Sequence, residues 1–167
     1  GANFGFVISA RSEQNGAKPK INQVTMNITY NIPTFTTPSV VLSNQLISNT
    51  SSYTFTQTVP TDGGALDYSI ADAAAVTVTI PNGDLSSATT AGSTWNGEAI
   101  TSFTAQNQTM LVFNVPASGG VIESQAFDIV IAGATNHTAV GTYSTAAVIA
   151  ENGEGSVNQY LSYSYSL

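Results

Sequence analysis

Apolar residues recur at every second position along most of this chain, and that spacing restricts it to β-strands. Val24, Met26, Ile28, Tyr30 and Ile32 alternate with polar residues up to Pro33. Tyr53, Phe55 and Val59 repeat the pattern up to Pro60, with Gln57 as the polar interruption, and the turn Asp62-Gly63-Gly64 follows. Val76, Val78 and Ile80 lead into Pro81-Asn82-Gly83-Asp84. Leu111, Phe113 and Val115 end at Pro116 and the turn Ser118-Gly119-Gly120, and Phe127, Ile129 and Ile131 end near Gly133. A two-residue period places one face of each strand in a core and the other in solvent. No segment sustains three helical turns, although Ala71–Ala75 has the composition for one. Strands over 142–150 and 157–167 flank Glu151-Asn152-Gly153-Glu154-Gly155, the spacing of a hairpin. About ten strands of 5–10 residues, each closed by turn chemistry, predict an all-β, two-sheet sandwich of the Ig-like or pilin-like kind. Residues 84–94, rich in Ser, Thr and Ala, read as the most mobile loop.

Composition narrows the setting. At 167 residues the chain holds one domain with a sizeable core. Hydrophobic residues make up 42% and charged residues 8%, so the chain folds, with a surface of Ser, Thr, Asn and Gln. Uncharged polar groups keep their character at any pH, which suits an extracellular protein. With no cysteine, the fold has no disulfide and no thiolate ligand or nucleophile. No apolar run is long enough to cross a membrane as a helix. The first residues, Gly1-Ala2, are those expected of a chain released from a signal peptide. The sequons at Asn27, Asn49, Asn107 and Asn136 mark four candidate N-glycosylation sites.

All three basic residues, Arg11, Lys18 and Lys20, fall within ten positions, whereas Ile21–Leu167 has nine carboxylates and neither Lys nor Arg. Such a body repels nucleic acid and anionic membranes, so neither is an expected partner. Catalytic chemistry has little to work with. Nucleophilic triads need a base, and the single histidine, His137, sits in a Gly/Ala/Thr-rich turn inside a sequon. Asp67 and Asp72, five positions apart, would point to opposite faces of a strand and do not form a glycosidase pair. Asn82-Gly83-Asp84 reads as a turn before it reads as a calcium loop. No catalytic residue, metal site or cofactor is expected. Trp95 beside Asn96-Gly97 is the one candidate for a sugar-stacking platform, which keeps surface glycans as a second candidate partner.

The N-terminus has its own organisation. Phe4, Phe6, Ile8 and Ala10 share one strand face and Gly5, Val7 and Ser9 the other, yet the next ten residues are almost wholly polar and carry every base. The expected layout is a strand over 1–10, a charged tether over 11–20 and the sandwich over 21–167. Extended, ten residues reach up to about 33 Å. This layout resembles filament subunits that polymerise by donor-strand complementation, and in its low charge and Ser/Thr content it is similar to archaeal threads and bundling pili. A long apolar N-terminal helix, a Leu-Pro-x-Thr-Gly signal and a cysteine pair, the marks of other filament subunits, are all missing. The resemblance implies a secreted subunit whose Phe4, Gly5, Phe6, Ile8 and Ala10 complete a neighbouring copy's sandwich, with Arg11, Lys18 and Lys20 against an acidic neighbour. Burying Phe4, Phe6 and Ile8 would contribute roughly 1.5–3 kcal/mol each, and Gly5 would permit close backbone approach. The alternatives are a monomeric adhesin or carbohydrate-binding module, a capsid or surface-layer tile and, last, a glycan-active enzyme.

Overall fold

The computed structural model describes residues 36–60, 69–150 and 159–167. The N-terminal strand, the tether, the strand over 24–32, Asp67, Asn27 and the turn over 151–155 lie outside the described residues.

Two antiparallel five-stranded sheets face each other. The first holds β1 (Thr36–Leu42), β2 (Thr50–Thr58), β8 (Ala126–Thr135), β4 (Thr89–Trp95) and β5 (Glu98–Ala99), in that order. The second runs β10 (Gln159–Ser166), β9 (Thr142–Ala150), β3 (Ala75–Thr79), β7 (Met110–Asn114) and β6 (Ala105–Gln106). Strand alternation accounts for the core. Tyr53 and Phe55 from β2, Ile129 and Ile131 from β8, and Trp95 from β4 are buried in the first sheet. Val76, Val78, Leu111, Phe113, Ala147, Ile149, Leu161, Tyr163 and Tyr165 are their counterparts in the second. Aromatic rings bridge the layers edge to face, Phe55 with Tyr163 at 5.0 Å and Tyr53 with Tyr165 at 5.4 Å. The two-sheet sandwich read from the sequence is the observed architecture.

Two stretches differ from expectation. Residues 84–94 are not a loop throughout: after a turn they form β4, hydrogen-bonded to β8. Among the residues of β4 only Ser93 and Trp95 are buried, so the strand has almost no apolar alternation to read. Its cohesion is polar. Ser93 Oγ donates to Thr89 O at 2.6 Å and accepts from Ala132 N at 2.9 Å, across a bulge where five residues of β4 span two steps of β8. Ala71–Ala75 contains a turn rather than a helical one: Ala73 has φ +63°, and its N–H donates to Val115 O.

Strand direction gives the sandwich two distinct ends. One end, the tip, gathers the β1–β2, β3–β4, β6–β7 and β8–β9 connections and Leu167. The opposite end gathers the β2–β3, β7–β8 and β9–β10 connections and the start of β1, where Thr36 pairs with Thr58. Among the described carboxylates, only Asp84 belongs to a tip connection, bridged by its backbone to Thr135. Among the described residues, the connections at the opposite end carry Asp72 and Glu123. Asp128, paired with Thr56, and Glu98, paired with Trp95, lie in the half nearer that end. Among the described residues, four of five carboxylates lie toward one end of the sandwich and Asp84 alone at the other.

Candidate assembly surface

A sheet edge offers unpaired backbone N–H and C=O groups to any incoming strand, and proteins blunt edges with proline, bulges, charges or short strands. Among the described residues, three of the four sheet edges are blunted. β1 contains Pro38, which has no N–H, and its register breaks between Thr36 and Ser39. β5 and β6 are two residues each, and β5 begins with Glu98. β10 differs. Its eight residues, Gln-Tyr-Leu-Ser-Tyr-Ser-Tyr-Ser, pair with β9 in unbroken register from Gln159↔Ile149 to Ser166↔Thr142. The strand carries no charge, proline or bulge, and among the described residues only one of its sides is paired. Leu161, Tyr163 and Tyr165 point into the core, and Ser162, Ser164 and Ser166 are exposed. β1, the outer strand of the other sheet, lies alongside it.

A buried polar seam holds β10 and the tip in place. Tyr163 donates its hydroxyl to Gln57 Oε1, joining β10 to β2 across the core. Gln57, which interrupts the apolar face of its strand, is fully buried for this purpose. Tyr53 donates to Asn136 Oδ1 at 2.8 Å, and Asn136 Nδ2 donates to Asn44 O at 2.7 Å and Leu46 O at 2.8 Å. Burial pushes the phenols of Tyr53, Tyr163 and Tyr165 up from their ordinary value, and Tyr53 and Tyr163 donate as neutral hydroxyls.

The same bonds fix the two tip loops, and Ser48 N donates to His137 O between them. Leu46, Ile47 and Val140 project from these loops with 65%, 41% and 78% of their surface exposed. His137 is half-buried rather than a solvated loop residue. Its Nδ1 accepts from Ala139 N at 2.9 Å, and its ring lies 4.5 Å from that of Tyr143, whose hydroxyl donates to Ala139 O. The imidazole therefore braces the loop that presents Val140.

Two candidate site residues are corrected. Asn136 is 2% exposed with both amide atoms engaged, so it has no room for a sugar and is not a glycosylation site in this fold. Trp95 is fully buried and is not a stacking platform. Its ring packs 4.8 Å from Phe127 and 6.1 Å from Phe113, and Nε1 donates to Gly119 O at 2.6 Å. Gly119 admits the indole because a Cβ there would stand 3.0 Å from both Trp95 Cδ1 and Pro116 O. Asn96 and Gly97, both at positive φ, make the two-residue hairpin turn that follows.

Asn49 and Asn107 are exposed, both in connections at the tip. Asn107 Oδ1 accepts from the N–H groups of Thr109 and Met110. Asp72 accepts from Gly120 N at 2.7 Å. Asp84 accepts from the N–H and hydroxyl of Ser86, and these bonds hold its carboxyl below the usual range. Both carboxylates therefore close turns. Among the described residues, no three His, Asp or Glu side chains gather where they could hold a metal.

No protein-family model matches this chain, and no curated protein matches it. Among solved structures it is similar to BslA, a bacterial hydrophobin, with 18% identity over 78% of this chain and 97% of that one, at a TM-score of 0.46. It is also similar to ACE19, the collagen-binding subdomain of the Enterococcus faecalis surface protein ACE. There the identity is 13% over 83% of this chain and all of that one, at a TM-score of 0.37. Neither likeness bears on function.

Proposed function

We propose that this chain is a structural subunit of an extracellular filament, in which each copy lends Phe4–Ala10 to the next. The observation that carries this reading is β10, which among the described residues is a long, regular and uncharged edge beside three edges that are blunted. An extended segment with alternating apolar residues is the chemistry that such an edge accepts. Lending one strand per copy is a head-to-tail contact that does not close on itself, so it generates a fibre.

Electron microscopy and sedimentation of two variants test it. Phe6→Asp would bury an unpaired charge and is expected to abolish filaments. Replacing Arg11, Lys18 and Lys20 by glutamine is expected only to slow assembly and flatten its salt dependence, because exposed ion pairs contribute about 0–1 kcal/mol each. Filaments from Phe6→Asp, with none from the neutral tether, would defeat the reading.

A second reading, a monomeric binding module, is favoured by the tip, where braced loops hold Leu46, Ile47 and Val140 in solvent. Wild-type protein that stays monomeric at high concentration, and loses binding to apolar surfaces on Val140→Lys, would select it.

A further inference from the structure

Resting on the filament reading, we infer that the lent strand pairs antiparallel with β10 of the acceptor copy, Phe4 toward Tyr165 and Ala10 toward Gln159. Three observations combine. The lengths match, since seven residues of Phe4–Ala10 extend roughly 23 Å against roughly 26 Å for eight residues of β10. The faces match as well. Phe4, Phe6 and Ile8 repeat every two residues, as do the inward Tyr165, Tyr163 and Leu161, which leaves Asn3, Gly5, Val7 and Ser9 on the side of Ser162, Ser164 and Ser166.

Charge then decides direction. β10 runs from the end that holds most of the described carboxylates, at Gln159, to the tip at Ser166. A strand laid antiparallel delivers residue 10, and the tether behind it, to the Gln159 end. Arg11, Lys18 and Lys20 of the donor then meet the end whose described connections carry Asp72 and Glu123, with Asp128 and Glu98 in the nearer half. Laid parallel, the same tether would lie at the tip, beside exposed Leu46, Ile47 and Val140 with Asp84 as the only described carboxylate in the tip connections. Exposed charges of this kind set orientation and encounter rate more than affinity. Antiparallel ladders are also slightly more stable per residue, and every strand pair described here is antiparallel.

The absence of cysteine makes the test direct, since any disulfide must come from introduced residues. Four full-length chains would combine Asn3→Cys or Val7→Cys with Ser162→Cys or Ser166→Cys, be oxidised after assembly, and be read as covalent ladders on a denaturing, non-reducing gel. A cross-strand disulfide needs Cβ atoms about 3.5–4.5 Å apart, so it distinguishes the two ends of β10. Antiparallel pairing predicts ladders from Asn3→Cys with Ser166→Cys and from Val7→Cys with Ser162→Cys, at least several-fold stronger than from the crossed pairs. The reverse pattern would overturn the direction. Filaments visible by microscopy with no ladder from any pair would overturn β10 as the acceptor while leaving strand lending intact. A wild-type chain that forms no filaments would remove the filament reading itself.

Discussion

Replacing Trp95 with alanine is expected to destabilise the fold by roughly 3–5 kcal/mol, the cost of emptying a buried aromatic site. The indole is fully buried against Phe113 and Phe127 and donates to Gly119 O, so the substitution opens a cavity and strands a carbonyl together. For a domain held by about 5–15 kcal/mol, that is a large fraction of the total. Urea unfolding followed by tyrosine fluorescence measures it. Trp95→Phe separates the terms: it keeps much of the apolar contact but leaves Gly119 O without its donor, for about 1–3 kcal/mol. A shift below about 1 kcal/mol for Trp95→Ala would mean that the side chain is not in the core.

Asn136→Asp is expected to cost a comparable amount, roughly 3–5 kcal/mol at neutral pH. The change is nearly isosteric, but a carboxylate oxygen replaces the amide nitrogen that donates to Asn44 O and Leu46 O. Three oxygens would then face one another in a buried site, and protonating the carboxyl at low pH should recover part of the loss. Thr138→Ala is the control. It destroys the same sequon at an exposed position and is expected to change stability by less than about 0.5 kcal/mol. Thermal or urea unfolding of both variants distinguishes buried hydrogen bonding from glycosylation, since equal effects would implicate the sugar.

These two residues also mark where local sequence stops informing. β2, β3, β7, β8, β9 and β10 were legible because each alternates buried and exposed side chains between turn residues. β4 was not, because its cohesion comes from the Ser93 hydroxyl and a bulge rather than from apolar alternation. β1 was missed because Pro38 and the run Val40-Val41-Leu42 break the two-residue period. The expected count of about ten strands is met within the described residues alone, with a different membership. Asn136 and Trp95 looked like surface chemistry because a sequon, and a tryptophan beside Asn-Gly, are local signals. Their burial depends on Tyr53, Asn44 and Gly119, which are 83, 92 and 24 positions away. Gln57 was legible only as an interruption, since its reason, Tyr163, lies 106 positions along. The candidate assembly surface divides in the same way. The N-terminal pattern was readable from its residues, whereas the choice of β10 required all four edges to be compared.

The central claim is that residues 1–20 join one copy to the next. Sedimentation of the full chain beside a chain beginning at Ile21, at matched concentration, tests it most directly. The account predicts that the full chain sediments as a broad series of assemblies far above its 17.3 kDa, and that the shortened chain sediments as a single subunit. A full chain that stays at one subunit mass, or a shortened chain that still polymerises, would contradict it.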